Sequence, residues 1–358
     1  MARILYAVYG EGMGHAFRSK VVIDYLLSQK HEIKVVASGG AFHFLSSCYP
    51  LVEDIHYPQI SYSKNKVQNL KTTYRNTKTL PKGSWSSLKK LRKLFRAFQP
   101  ELLITDHEPF SDLVAKWFNT PVIAIDNINM LIKGKIDVPF RGLWWYVINR
   151  LVTRTFIFMA KNHIIPSFFF VPVRGKNVYL VPPLLRRRIL KLKPIVRDHV
   201  LVYQTAAITE DAVNTLRTIK DQKFVVYGWK KSKSIDNIVF KDFSEDGFLE
   251  DLRTSKAVIM NGGFTLMGEA IYLGKPILSI PAQKQFEQMM NAHYLDKQNY
   301  GKYLKSFDYV GIKKFLSGLD FYRENLKQHK QDGNAFFEGL LDEMISKIVG
   351  GRKIKLSD

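Results

Sequence analysis

The chain has 358 residues, 46% hydrophobic and 24% charged, which is enough to bury two cores of ordinary size and too long for one. Its single cysteine, Cys48, excludes an internal disulfide and a cysteine-built zinc site, and suits a reducing, cytoplasmic compartment. The net charge is +22 and lopsided: residues 1–193 hold 30 lysines and arginines against 11 acidic residues, residues 194–358 hold 24 against 21, so the first half is built to meet something anionic.

Arg3–Tyr9 is a short apolar run ending in glycine, with no signal-like segment before it. Helical spacing follows from His15 to Ser28, with Val21, Val22, Tyr25 and Leu26 on one face. Strands are predicted at Glu32–Ala37, Leu51–Ile55, Leu102–Thr105 and Val122–Ile125, with helices at Trp85–Phe98 and Phe110–Phe118 between them. This alternation predicts a parallel sheet with crossover helices. A long helix is expected at Trp144–Ala160. The apolar stretch Leu143 to Met159 is interrupted by Arg150 and Arg154 and does not predict a membrane span. Short strands follow near Ile164 and Val178.

Val181–Pro194, with three prolines and a run of basic residues, breaks the rhythm and marks a linker. Beyond it the pattern restarts: strands at Val200–Tyr203, Phe224–Tyr227, near Val239, Ala257–Met260 and Pro276–Ile280, and helices at Glu210–Ile219, Gly247–Thr254, Thr265–Leu273, Phe286–Lys297 and Ala335–Val349. The expected organisation is a domain over 1–185, a linker over 186–198, a second domain over 199–330, and a last helix within 331–358 that can return to the first domain. Two α/β halves place a ligand-binding cleft between them.

The strand Ala257–Met260 runs into Asn261-Gly262-Gly263 before a helix. Two glycines there admit close backbone approach, and the helix N-terminus offers free N–H groups to a phosphate. Glu269, one turn beyond Thr265, can accept hydrogen bonds from both hydroxyls of a ribose. Taken alone, this is also what an ordinary turn with an exposed glutamate looks like. The polar cluster Gln285, Glu287, Gln288 and Asn291 after Ile280-Pro281 adds specificity, because it falls at the end of the adjacent strand, where sugar hydroxyls are read.

Asn261-Gly262-Gly263-Phe264-Thr265, Gly268-Glu269-Ala270, Gly274-Lys275-Pro276, Ile280-Pro281, Glu287-Gln288 and Asn291-Ala292 together resemble the donor-site signature of MurG-like glycosyltransferases (family 28-like) and the wider UDP-glycosyltransferase superfamily. The resemblance is close over 261–292 and loose elsewhere. It implies an α/β chain of GT-B fold, two facing Rossmann-like domains with a cleft between them. It also implies that Glu269 binds ribose, that Gly262, Gly263 and Thr265 face a diphosphate, that Glu287-Gln288 touch the donor sugar, and that the backbone at Phe243 reads the base, uracil in most relatives. The first turn of the second half departs from the pattern: Tyr203-Gln204-Thr205-Ala206-Ala207 replaces a glycine-rich loop, leaving Thr205 as a hydroxyl donor.

Gly10-Glu11-Gly12-Met13-Gly14-His15 has the wrong glycine spacing for a dinucleotide fingerprint. It resembles the Gly-His loop of the same enzymes, at the acceptor side. Asp106 ends the strand Leu102–Thr105, and neighbouring strand ends can bring it to His15. An aspartate on one ring nitrogen leaves the other free to take a proton from an acceptor hydroxyl. His15 can instead cap or pack, and Asp106 can cap the next helix; His107 and Glu108 are able to take either role. Arg18 stands where many relatives have proline, and can bind an anionic acceptor or lie in solvent. No Asp-x-Asp occurs, and neither a metal nor an obligatory cofactor is expected. The implied reaction is inverting hexosyl transfer from a nucleotide sugar, UDP-linked by resemblance, to a hydroxyl acceptor.

The basic first half suits a lipid-linked, glycan or otherwise anionic acceptor, and peripheral association with the inner face of an anionic membrane. Candidate contributors are the amphipathic Ser87–Phe98, the loop Ser61–Ser84 as an acceptor lid, and the aromatic Phe140–Tyr146. Three rivals remain. A nucleotide-sugar 2-epimerase shares the fold, but the Gly-Thr-Arg-Pro-Glu stretch is missing. A basic nucleic-acid-binding protein has no motif here and is not expected. A relative that binds nucleotide without catalysis is the third.

Overall fold

The computed structural model describes residues 1–10, 12–56, 62–63, 66–67, 69–138, 142–156, 160–204, 208–229, 233–282, 285–329 and 331–355. The chain forms two compact units. One comprises Met1–Ser61, Gln68–Arg186 and Asp332–Asp358; the other comprises Tyr62–Val67 and Arg187–Gln331.

The first unit is a seven-stranded sheet. Its strands are β1 (Arg3–Val8), β2 (Glu32–Ala37), β3 (Val52–Asp54), β6 (Leu102–Asp106), β7 (Val122–Ile125), β8 (Asn162–Pro166) and β9 (Val178–Val181). Two short strands of the other unit, β4 (Tyr62–Ser63) and β5 (Lys66–Val67), pair with each other. The order is β3-β2-β1-β6-β7-β8-β9, every neighbour parallel. Continuous apolar runs such as Ile4–Val8 are buried on both faces, as crossover helices require. The chain winds outward from β1 on one side and from β6 on the other. The ends of β1 and β6 are therefore the topological switch point, where open α/β sheets bind ligands.

The helix Ala335–Lys355 completes this unit. Phe337, Leu341, Met344, Ile345 and Val349 join the core with Ile4, Tyr6, Val22 and Leu26. Tyr25 Oη donates to Asp342 Oδ2 at 2.6 Å. Asn334 ties the approach to the helix: Leu185 N donates to its Oδ1 at 2.9 Å, and its Nδ2 donates to Leu185 O at 3.0 Å.

The second unit carries β10 (His199–Tyr203), β11 (Lys223–Tyr227), β12 (Lys233–Ile235), β13 (Ile238–Lys241), β14 (Ala257–Met260), β15 (Ile277–Ser279) and β16 (Gly301–Tyr303). The order is β12-β13-β11-β10-β14-β15-β16; β12 is antiparallel to β13 and the rest are parallel. Its switch point lies between β10 and β14. Lys275 is buried and donates from Nζ to Ile195 O and Ser255 O, both at 2.7 Å, which pins the segment leading into β10.

Sequence patterning misses the helix Gly39–Cys48, which opens on two glycines, and the short strands β12 and β16. The segment expected as a loop, Ser61–Ser84, is helical from Asn69 onward, in one helix running to Phe98. Its Thr/Asn-rich start, with Pro81 and Gly83, has no apolar stripe to betray a helix.

The closing helix makes a direct prediction. Leu341→Ala should cost about 2–5 kcal/mol of stability in urea unfolding. A loss below about 0.5 kcal/mol would mean that the helix is not part of the core.

Candidate functional site

At the switch point of the first unit, β1 turns through Gly10 and Gly12 into the helix Met13–Ser28. Gly12 is the N-cap, at φ +81°, a left-handed conformation that side chains resist. Gly10 O accepts from Gly40 N at 3.2 Å, and Gly14 lies in the first turn of the helix. This geometry presents His15, Arg18 and Ser19 to the end of β6, whose last residue, Asp106, pairs in register with Val8.

Asp106 is fully buried and collects four hydrogen bonds. His15 Nδ1 lies 2.8 Å from Oδ1, Arg18 Nη2 2.6 Å from Oδ1, Arg18 Nε 3.0 Å from Oδ2, and Ser19 Oγ 3.1 Å from Oδ2. Burial by itself would raise the Asp106 carboxyl; the charge of Arg18, and then His15, outweigh it and hold the group well below the usual carboxylate range. Arg18 Nη2 also lies 3.0 Å from His15 Nδ1. That nitrogen cannot both accept from arginine and face a carboxylate with its lone pair. It therefore carries a proton and donates to Asp106, so that in the neutral ring Nε2 is the proton acceptor. Nε2 has no hydrogen-bond partner among the described residues, and the His15 side chain is 12% exposed.

Arg18 departs from expectation. It is 3% exposed, neither solvated nor open to an anionic acceptor, and its Nη1 donates to Asn127 Oδ1 at 2.7 Å. A carboxylate buried at a strand end needs a cation, and an arginine one turn along the helix reaches it. Glu108, not Asp106, caps the following helix, accepting from Phe110 N at 3.0 Å and Ser111 N at 2.7 Å. His107 is buried at φ +61°, its ring stacked 6.4 Å from that of His15; burial, then the His15 charge, push its imidazole down to about 3. Tyr9 meets both rings edge-on, at 5.3 and 5.7 Å.

At the switch point of the second unit, β14 leads through Asn261 and Gly262 to Gly263, the N-cap of the helix Phe264–Tyr272. A Cβ on Gly262 would overlap the Gln288 carbonyl, so the turn packs directly on the helix Phe286–Lys297. Gly263 is different. Its φ of −66° suits any residue, and a Cβ there would meet nothing within 4 Å. Packing does not require that glycine, which leaves open space at the helix N-terminus. Thr265 lies in the first turn, half-buried, and Glu269 follows, 1% exposed rather than on the surface.

Asn291 Nδ2 donates to Gly262 O at 2.8 Å, and Gln288 Oε1 accepts from Ala282 N at 2.9 Å. These two amides, expected to read sugar hydroxyls, each use one group on the backbone of the Gly-Gly turn and of the loop after Ile280. Glu287 is half-buried in the first turn of its helix. Phe243, just after β13, is 59% exposed, its ring 5.7 Å from Phe248. Thr205 lies outside the described residues. Among the described residues, no three His, Cys, Asp or Glu side chains are grouped to hold a metal ion.

Residues 2–320 match the family described as Glycosyl transferase family 1. The chain belongs to that family. It is a glycosyltransferase with the GT-B fold. An uncharacterized glycosyltransferase of Methanosarcina acetivorans is 26% identical over 333 residues, covering 84% of this chain and 85% of its relative. Another, of Methanopyrus kandleri, is 27% identical over 265 residues, 67% and 74% of the two chains. Among solved structures, UGT2 of Phytolacca americana, complexed with UDP-2fluoro-glucose and pterostilbene, has a TM-score of 0.68 at 14% identity and covers 97% of this chain and 100% of its own. MurG of Acinetobacter baumannii has a TM-score of 0.63 at 12% identity, covering 96% and 100%. These structural likenesses carry the fold.

Sequence reasoning overlooked three polar residues of this glycosyltransferase's switch points: Asn127, Asp126 and Gln204. Each directly follows a strand, or lies two residues past one, a signal that singled out Asp106 but was not applied evenly. Asp126 is fully buried and accepts from Asn129 N and Nδ2, both at 2.7 Å. Burial, and then the Asp106 charge, push its carboxyl up to about 7. An acid raised in the folded state gives stability that is complete below its unfolded value of about 3.9 and is lost as pH rises through the folded one. Stability should therefore fall between about pH 4 and pH 7, by up to about 1.4 kcal/mol per pH unit. Asp126→Asn should remove that fall, as read by denaturant unfolding at pH 5 and pH 8. An unchanged difference between the two pH values in the variant would sink the assignment.

Proposed function

We propose that this glycosyltransferase moves a hexosyl group from a nucleotide sugar, UDP-linked, to a hydroxyl acceptor with inversion of the anomeric centre. His15 Nε2 takes the proton of the acceptor hydroxyl, and Asp106 stabilises the imidazolium that results. The acceptor oxygen bonds to the anomeric carbon as the bond to the diphosphate breaks on the opposite side. The leaving charge falls on the N–H groups at Gly263–Thr265, so no metal is assigned a step. Glu269 holds the ribose hydroxyls, and Glu287 and the remaining amide donors of Gln288 attend the sugar. The observation that carries the reading is the His15–Asp106 bond of 2.8 Å, with Nε2 left to accept.

The acceptor is proposed to be lipid-linked or otherwise anionic, met at a membrane surface. The charge of residues 1–193 supports this, as does the helix Leu143–Phe156, where Trp144 is 70% and Leu151 58% exposed beside Arg150 and Arg154. No helix among the described residues is long and apolar enough to cross a membrane.

In a thermal-shift screen of UDP-, GDP- and dTDP-sugars, Glu269→Ala should abolish the shift that one donor gives the wild-type chain. His15→Ala should keep that shift and lose transfer by about 10²–10⁴-fold. Near-normal turnover in His15→Ala would remove the base assignment. In flotation, anionic liposomes should carry the protein and neutral ones should not; equal, negligible binding to both would end the membrane proposal.

A further inference from the structure

At the second switch point two buried amide atoms are left over among the described residues, Asn291 Oδ1 and Gln204 Nε2, and only the second can donate to an anion. Gln204 directly follows β10 and is 4% exposed. Its Oε1 accepts from Asn261 Nδ2 at 2.6 Å, while its Nε2 is buried with no hydrogen-bond partner among the described residues. The two sides of this amide are therefore treated unequally: the oxygen is held by the scaffold, and the two N–H donors are not. Asn261 is held in turn: its backbone carbonyl accepts from Ser279 Oγ at 2.9 Å, and its side-chain Nδ2 also donates to Ile280 O at 3.4 Å, which sets that nitrogen toward Gln204. That bracing fixes which way Gln204 faces. An amide that could swap its oxygen and nitrogen would be ambiguous; here the donor Asn261 allows only the oxygen on its side.

A buried donor without an acceptor is unfavourable in the free protein and is expected where a ligand supplies the missing oxygen. Two residues past Asn261 stands Gly263, the N-cap whose Cβ position is open space. An unpaired amide donor, a helix N-terminus without a side-chain cap, and room beside it all suit one ligand chemistry, the oxygens of a phosphate group.

We propose that Gln204 is a donor-site residue whose side-chain amide, braced by Asn261, donates a hydrogen bond to the diphosphate of the sugar nucleotide. The inference rests on the proposed function and assigns part of its phosphate recognition to a side chain that directly follows β10.

Two variants of the full chain test it, with calorimetric binding of UDP and uridine at pH 8. If GDP or dTDP binds the wild type more tightly, that nucleotide and its nucleoside are used. Gln204→Glu keeps an oxygen for Asn261 and sets a carboxylate oxygen where the donors were. Gln204→Met removes the donors without adding charge. Both should weaken UDP by at least about tenfold, Glu more than Met, and leave uridine within about twofold. The inference is overturned if either folded variant binds UDP like the wild type, or if both lose uridine as much as UDP. A wild-type chain that binds no nucleoside diphosphate would overturn the proposed function and this inference with it. Binding by the wild type with no effect in the variants overturns only the role of Gln204.

Discussion

A carboxylate removed entirely from water must be surrounded by donors and countered by charge, or it will not stay ionised. Asp106 meets that demand with three side chains from one helix, His15, Arg18 and Ser19. The first turns of that helix are thereby fastened to the end of β6, across the point where the sheet reverses its winding. Arg18 then reaches past Asp106 to Asn127, just beyond the end of β7. Two strand ends and one helix share a single network. The tautomer and direction of the His15 ring follow from it. His15 does not need a precise loop to be well placed, because the carboxylate that orients it is itself immobilised from the opposite side.

The second switch point has the same topology and different chemistry. Where Asp106 concentrates charge, the ends of β10 and β14 carry neutral amides, Gln204 and Asn261, and Asn291 holds the carbonyl of Gly262. Uncharged donors are what an anionic diphosphate tolerates at close range; a buried carboxylate on those strand ends would repel it. The proposed division of labour follows: proton transfer beside fixed charges, phosphate binding beside amides and a helix N-terminus.

Much of this was legible in the sequence, and the limits have physical causes. The apolar runs of β1, β6, β10 and β14 are buried on both faces and read plainly. The meeting of His15 and Asp106 followed from one rule, that parallel neighbours bring their C-terminal ends together. Arg18 was opaque because an arginine in a helix reads as a solvated face unless its partner is known, and Asp106 lies 88 residues away. The backbone bonds of Gln288 and Asn291 were hidden because sequence cannot show which backbone groups of a tight turn need partners. At Gln204 the position just past a strand end is visible in the sequence, but the partner that orients its amide, Asn261, lies 57 residues on. The helix beginning at Asn69 was hidden by a composition that suits loops.

The helix Ala335–Lys355 bears on how the protein is made. It covers a core built from strands translated near the start of the chain, with Ile4 and Tyr6 among its neighbours. Arg187–Gln331, which holds every strand of the second sheet, is translated before that helix. The later unit can therefore finish first, while the earlier one waits with an apolar face uncovered. A truncated chain lacking that helix would leave the face exposed, the kind of apolar surface on which incomplete chains aggregate.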